Sequence, residues 1–181
     1  MINWPRIIAR KVTPVSQWMT IVCRDVQFSP GAEAETYYAI QQPSYLAAVA
    51  LTPEGRILLV RQYRPAIERF SFEFPAGVME ENEGDPANAM ARELLEETGY
   101  TTESITLIGH TATCSGRISN CMYSFFIRAR AHVPEFIEEP GVFVSSVTPG
   151  ELRDLVSSGE FSEQTHLGVL TLAMVRGLLI F

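Results

Sequence analysis

The stretch from Phe74 to Tyr100 constrains this chain more than any other: Phe-Pro-Ala-Gly, then an acidic loop, then Arg92-Glu93-Leu94-Leu95-Glu96-Glu97-Thr98-Gly99-Tyr100. Ala87, Met90, Ala91, Leu94, Leu95 and Thr98 recur at the i, i+3, i+4, i+7, i+8 spacing of an amphipathic helix, which predicts a buried stripe with Arg92, Glu93, Glu96 and Glu97 on the opposite face. Asp85 is placed to cap the N-terminus ahead of Pro86, and Gly99 to supply the left-handed residue at the other end. Glu93 and Glu97 lie one helical turn apart, and Glu96 follows Glu93 on the same side. Repulsion between such carboxylates costs about 0.2–0.5 kcal/mol per pair, a cost that disappears if cations sit between them. An acidic helix face is ordinarily just a solvated surface. Here the fixed order of Pro-Ala-Gly turn, acidic loop, Arg-Glu pair and terminal glycine argues for a divalent-metal site that handles polyphosphates.

Charge supports the same direction. The formal charge of −7 disfavours nonspecific binding to nucleic acid, and the acidic helix would repel a polyphosphate unless metal ions screened it. Lys11 is the only lysine, so arginine supplies nearly all the cations, suited to bidentate contacts with phosphate. Cys23, Cys114 and Cys121 form no CxxC pair and are odd in number, as expected of reduced thiols in a cytoplasmic protein. His110, Cys114 and Cys121 lack a fourth soft-metal ligand. Met1-Ile-Asn-Trp-Pro-Arg does not have the layout of a signal peptide, and the apolar runs Leu46 to Leu51 and Leu167 to Val175 are too short to span a membrane, so no membrane partner is expected.

A length of 181 residues with 46% hydrophobic content suits one domain plus an extra element. Trp18 to Phe28 and Glu35 to Gln41 read as a hairpin, and Gln41 to Ser44 as a boundary, dividing the chain into residues 1–43 and 44–181. Tyr45 to Leu51 and Arg56 to Tyr63 flank Thr52-Pro53-Glu54-Gly55 as a second hairpin, and Phe70 to Phe74 is a short strand. Further strands are predicted at Ile105 to His110, Met122 to Ala131 and Val142 to Val147, with helices at Pro149 to Ser157 and Glu163 to Leu179. This mixed order favours an α+β sandwich.

The stretch around Gly77, Glu83 and Arg92 to Tyr100 resembles the signature of the Nudix hydrolase family. Glu83 stands at the family's interval from Gly77. Eight residues then separate it from Arg92 where the family has one fewer, which leaves the role of Glu83 open, and Tyr100 replaces an aliphatic residue. The resemblance implies an α/β/α sandwich with a curved mixed sheet and an N-terminal β extension that contributes to a homodimer. It implies Mg2+, with Mn2+ as the second choice, held by Glu93, Glu96, Glu97 and the Ala76 carbonyl, with Arg92 orienting a glutamate. It also implies a general base on a downstream loop, for which Glu138 and Glu139 are the candidates. The run Val60 to Pro65, followed by Glu73-Phe74-Pro75-Ala76-Gly77, resembles the ADP-ribose and ADP-sugar pyrophosphatase branch, implying that Arg64 contacts a phosphate and Glu73 helps position the substrate or its metal. Ser115 stands where members of that branch often carry proline, and Arg117 in the same loop is placed to reach a terminal sugar phosphate or solvent. The expected substrate is thus a small nucleoside diphosphate derivative, ADP-ribose first. Other nucleotide sugars, dinucleotides, nucleoside triphosphates and a non-hydrolytic sensor of nucleotide metabolites are the alternatives.

Overall fold

A computed structural model of the protein describes residues 4–80 and 82–181, so the reading of Met1 to Asn3 lies outside the described residues. The chain forms two compact units, one of Met1–Pro43 with Ala112–Cys121 and one of Ser44–Thr111 with Met122–Phe181.

The first unit is a three-stranded antiparallel sheet of β1 (Arg6–Ser16), β2 (Met19–Gln27) and β3 (Glu35–Gln41), in that order. The β2–β3 hairpin is the one expected from sequence. β1 was not, because every residue in it is exposed and no alternation of buried and open positions marks it. The distant segment 112–121 joins this unit by backbone pairing: Ile40 N–H donates to the Arg117 carbonyl at 2.8 Å, and Ser119 N–H to the Ile40 carbonyl at 2.9 Å.

The second unit carries β4 (Tyr45–Leu51), β5 (Ile57–Arg64), β6 (Arg69–Glu73), β7 (Ala76–Val78), α1 (Pro86–Thr98), β8 (Tyr100–Ala112), β9 (Cys121–His132), β10 (Val142–Val147), α2 (Pro149–Ser158) and α3 (Gln164–Val175). Its sheet runs β10-β5-β4-β9-β8, with β6 beside β5 and β7 beside β4. It is mixed, since β4 and β9 are parallel while β5 pairs antiparallel with β10 and β6. Residues alternate across it: Ala47, Val49, Ile57 and Leu59 pack with Leu152 of α2 and Val169 and Ala173 of α3, whereas Leu46, Ala48, Ala50 and Leu58 pack with Ala89, Met90 and Leu94 of α1. A sheet buried on both faces by helices is the α+β sandwich expected from the sequence.

Two expectations need adjustment. The Pro-Ala-Gly segment is more than a turn: Ala76–Val78 forms the short strand β7 against Tyr45, Leu46 and Ala47. α3 stops at Val175 rather than Leu179, because Gly177 takes a left-handed conformation (φ 68°) and Leu178 N–H closes back onto the Ala173 carbonyl at 2.9 Å.

Candidate active site

The caps of α1 are those the sequence predicts. Asp85 accepts from Ala87 N–H at 3.0 Å, and left-handed Gly99 (φ 71°) donates to the Leu95 carbonyl at 2.9 Å. The buried stripe is rotated from its predicted position. Ala89, Met90, Leu94 and Thr98 are buried while Leu95 is 39% exposed, so the inward face includes the angular positions of Glu93 and Glu97. These two glutamates are therefore partly buried, and only Glu96 stands outward.

Both meet the segment before the acidic loop. Glu97 Oε2 accepts from Ala76 N–H at 2.8 Å, and the Glu93 carboxyl packs so closely on Gly77 that a Cβ there would overlap it. Only glycine allows that approach. Burial pushes the Glu97 carboxyl up from 4.5 to about 8; the Ala76 N–H and Arg64 oppose this, and the Glu93 and Glu73 charges add to it. Burial also raises Glu93, helped by Glu96 and Glu83 and opposed by Arg92.

Arg92 sits among carboxylates. Its Nε donates to Glu83 Oε1 at 2.8 Å, its Nη1 to Glu96 Oε2 at 2.8 Å and its Nη2 to Glu93 Oε1 at 3.0 Å. The helical pairing with Glu96 thus coexists with a bond that orients Glu93. The longer loop leaves Glu83 in reach of this cluster, where the Arg92 hydrogen bond holds its carboxyl below the usual range.

A cavity of about 610 Å3 opens beside the turn, its walls including Arg64, Glu73, Ala76, Gly77, Glu97 and His166. That volume is in the range of small-molecule sites. Glu73 is almost wholly buried and bound by Arg64 through both oxygens, with Arg64 Nε at 2.9 Å from Oε1. Burial pushes the Glu73 carboxyl up, but Arg64 and His166 outweigh it and hold the group below its ordinary value.

His166 and Glu163 are residues that sequence reasoning missed. Glu163 caps α3 by accepting from His166 N–H at 2.8 Å, and the buried His166 ring accepts from Phe74 N–H at Nδ1, 3.0 Å away. Burial lowers the His166 pKa, and Glu73 and Glu163 act against it. The one sequence cue was a lone histidine in the first turn of a mostly apolar helix.

The remaining predicted residues are not among those lining this cavity. Glu138 and Glu139 do not line the cavity, and Glu138 Oε1 accepts from Val144 N–H at 3.0 Å. Their loop is tied to the end of α1, where Val133 N–H donates to the Gly99 carbonyl at 2.7 Å and Phe136 covers Gly99. Arg117 belongs to the first unit, where it lines a cleft with Arg24, Tyr37 and Tyr38.

Among the described residues, no three acidic, histidine or cysteine side chains converge as a formed metal cage. The donors nevertheless fit a hard divalent cation. All are oxygens, and the partly buried Glu97 carboxylate lines the cavity, where burial raises its pKa against the opposing Ala76 N–H and Arg64.

Comparison with known proteins gives the family and the fold. Residues 42–163 match the family described as NUDIX domain. The chain is 31% identical over 158 residues to a Bacillus subtilis protein named ADP-ribose pyrophosphatase, covering 86% of this chain and 84% of that one. It is 37% identical over 87 residues to a Bacillus methanolicus protein named methanol dehydrogenase activator, covering 48% and 46%. A solved structure titled as an ADP compounds hydrolase superposes with a TM-score of 0.77 at 22% identity, over 96% of this chain and 94% of that one, a likeness of fold.

Proposed function

Because this chain belongs to the Nudix family and is a pyrophosphohydrolase, we propose that it cleaves a nucleoside diphosphate joined to a second moiety, ADP-ribose first, to AMP and ribose 5-phosphate, with a divalent cation. The observation that carries this reading is the partly buried Glu97 carboxylate, held by Ala76 N–H and lining a cavity that also presents Arg64, with the Glu93 carboxyl packed against the neighbouring Gly77. Opposite charges meet there: a carboxylate group for cations and a guanidinium for a phosphate oxygen.

Glu93, Glu97 and Glu96, with the Ala76 carbonyl, are the residues proposed to hold Mg2+ or Mn2+. When bound, the cation supplies positive charge against the diphosphate and acidifies the attacking water. Arg92 keeps Glu93 in place and draws Glu83 and Glu96 to the same side. Arg64, steadied by Glu73, is proposed to meet a substrate phosphate, and Ala76 N–H fixes the Glu97 carboxylate. Glu138 or Glu139 would take the proton from water once their loop closes over the cavity, and Glu138 must first release Val144 N–H.

The first unit supports a homodimer, since it exposes Ile7, Ile8, Val12, Val15 and Trp18, each half or more accessible. Three free cysteines suit the cytoplasm, and among the described residues no helix is long and apolar enough to cross a membrane.

The test is product release from ADP-ribose, other nucleotide sugars, dinucleotides and nucleoside triphosphates, each with magnesium and with a chelator. AMP and ribose 5-phosphate formed fastest from ADP-ribose, and only with the cation, is the expected result. Faster release from a nucleoside triphosphate would overturn the substrate, and equal rates with chelator would overturn the metal.

A further inference from the structure

We propose that His166 is a positioning residue: it holds Glu73 against Arg64 and so fixes the guanidinium that meets a phosphate of the substrate. The inference rests on the reading of the cavity as the substrate site.

The imidazole has one orientation open to it. Nδ1 accepts from Phe74 N–H at 3.0 Å, which leaves the ring proton on Nε2. The rings of Phe74 and Phe161 flank it, with centroids 6.1 and 6.4 Å away. Nε2 then lies 3.6 Å from Glu73 Oε2 and 3.9 Å from Glu163 Oε2. The nearer distance is long for a hydrogen bond but well placed for an N–H dipole to attract a buried carboxylate.

Glu73 needs such a restraint, because Arg64 is its only charged hydrogen-bond partner among the described residues. Arg64, 42% exposed along its side chain, is in turn hydrogen-bonded to no side chain other than Glu73 among the described residues. The exposed guanidinium therefore takes its direction from Glu73, and His166 Nε2 approaches the same Glu73 oxygen, Oε2, that Arg64 Nη2 holds. His166 also secures Phe74, the residue joining Glu73 to the Pro75-Ala76-Gly77 segment. A histidine present only to fill the core would give up nothing at the substrate when its far nitrogen is removed.

His166→Asn separates these roles, since the amide oxygen can replace Nδ1 at Phe74 N–H while nothing reaches toward Glu73. The expected result is a folded protein whose KM for ADP-ribose rises about tenfold with kcat within about threefold of wild type. His166→Gln, whose amide nitrogen extends to the Nε2 position, is expected to keep KM within about threefold. The double variant His166→Asn/Glu73→Gln is expected to match Glu73→Gln alone. A folded His166→Asn protein with wild-type KM, or effects that multiply in the double variant, would overturn the proposal.

If His166→Asn does not fold, ring 15N NMR of the wild type decides. An Nε2–H tautomer whose Nε2 signal moves in Glu73→Gln supports the contact, and an unmoved signal refutes it. The wild-type substrate panel separately judges the function: if another pyrophosphate compound is preferred, the same variants are compared on that compound. If none is turned over, the reading of the cavity fails and this inference falls with it.

Discussion

Replacing Glu97 with Gln removes a negative charge from a place that disfavours it, and the metal-free protein should register the change as stability. The Glu97 carboxyl is pushed up from 4.5 to about 8 by burial. Below 4.5 it is neutral whether the chain is folded or not, and the folded state bears no penalty. As pH rises the unfolded chain ionises first, so stability falls steadily and the loss is complete once pH passes about 8. Between pH 6 and pH 8 the loss amounts to about 2 kcal/mol, a ceiling because Glu97 keeps some contact with water. The amide of Gln has the same shape and still accepts from Ala76 N–H, but it has no charge to bury. At 2–4 °C per kcal/mol for a chain of this size, wild type should lose about 5 °C more in Tm than Glu97→Gln between those pH values. The assay is thermal unfolding of both proteins in chelator. Magnesium should raise the wild-type Tm at pH 8 and leave Glu97→Gln almost unchanged. Parallel Tm curves in chelator would refute the burial argument, and equal magnesium shifts would refute the assignment of Glu97 as a ligand.

The other consequences concern geometry. Gly77→Ala places a Cβ against the Glu93 carboxyl, and displacing that group by about 1 Å should lower kcat/KM about 100-fold in steady-state assays while the fold survives. Arg64→Ala leaves Glu73 buried without its cation, so urea denaturation should show a loss of about 3 kcal/mol, with part regained in Arg64→Ala/Glu73→Gln. Glu139→Gln and Glu138→Gln, compared by kcat at saturating substrate, should differ: the base loses about 100-fold and the other residue much less. Equal, small effects would remove the loop from the mechanism.

The sequence made the acidic helix, its caps and most strands legible because each has a local signal: a capping side chain, a glycine at positive φ, a run of β-branched residues between turns. The facing of α1 was harder to read. Counting apolar side chains placed Leu95 inside, but the sheet and β7 pack on the side where Glu93 and Glu97 lie, and tertiary contact decided the rotation. β1 was hidden because a strand exposed throughout has no alternation to detect. His166 was hidden for a related reason: its partners Phe74 and Glu73 are about ninety residues away, and only the packing of α3 on the sheet brings them together. Glu83 was left open by the longer loop, and the Arg92 guanidinium shows where that loop returns.

The central claim is that Glu93 and Glu97, gathered at the Ala76–Gly77 segment, carry a cation-dependent cleavage of ADP-ribose. Its most direct test is the rate of AMP release from ADP-ribose by wild type and Glu97→Gln in one magnesium titration. Wild type should show turnover that rises with magnesium and saturates, while Glu97→Gln remains folded and loses at least about 100-fold in kcat at every concentration. Wild-type turnover by Glu97→Gln would contradict the account.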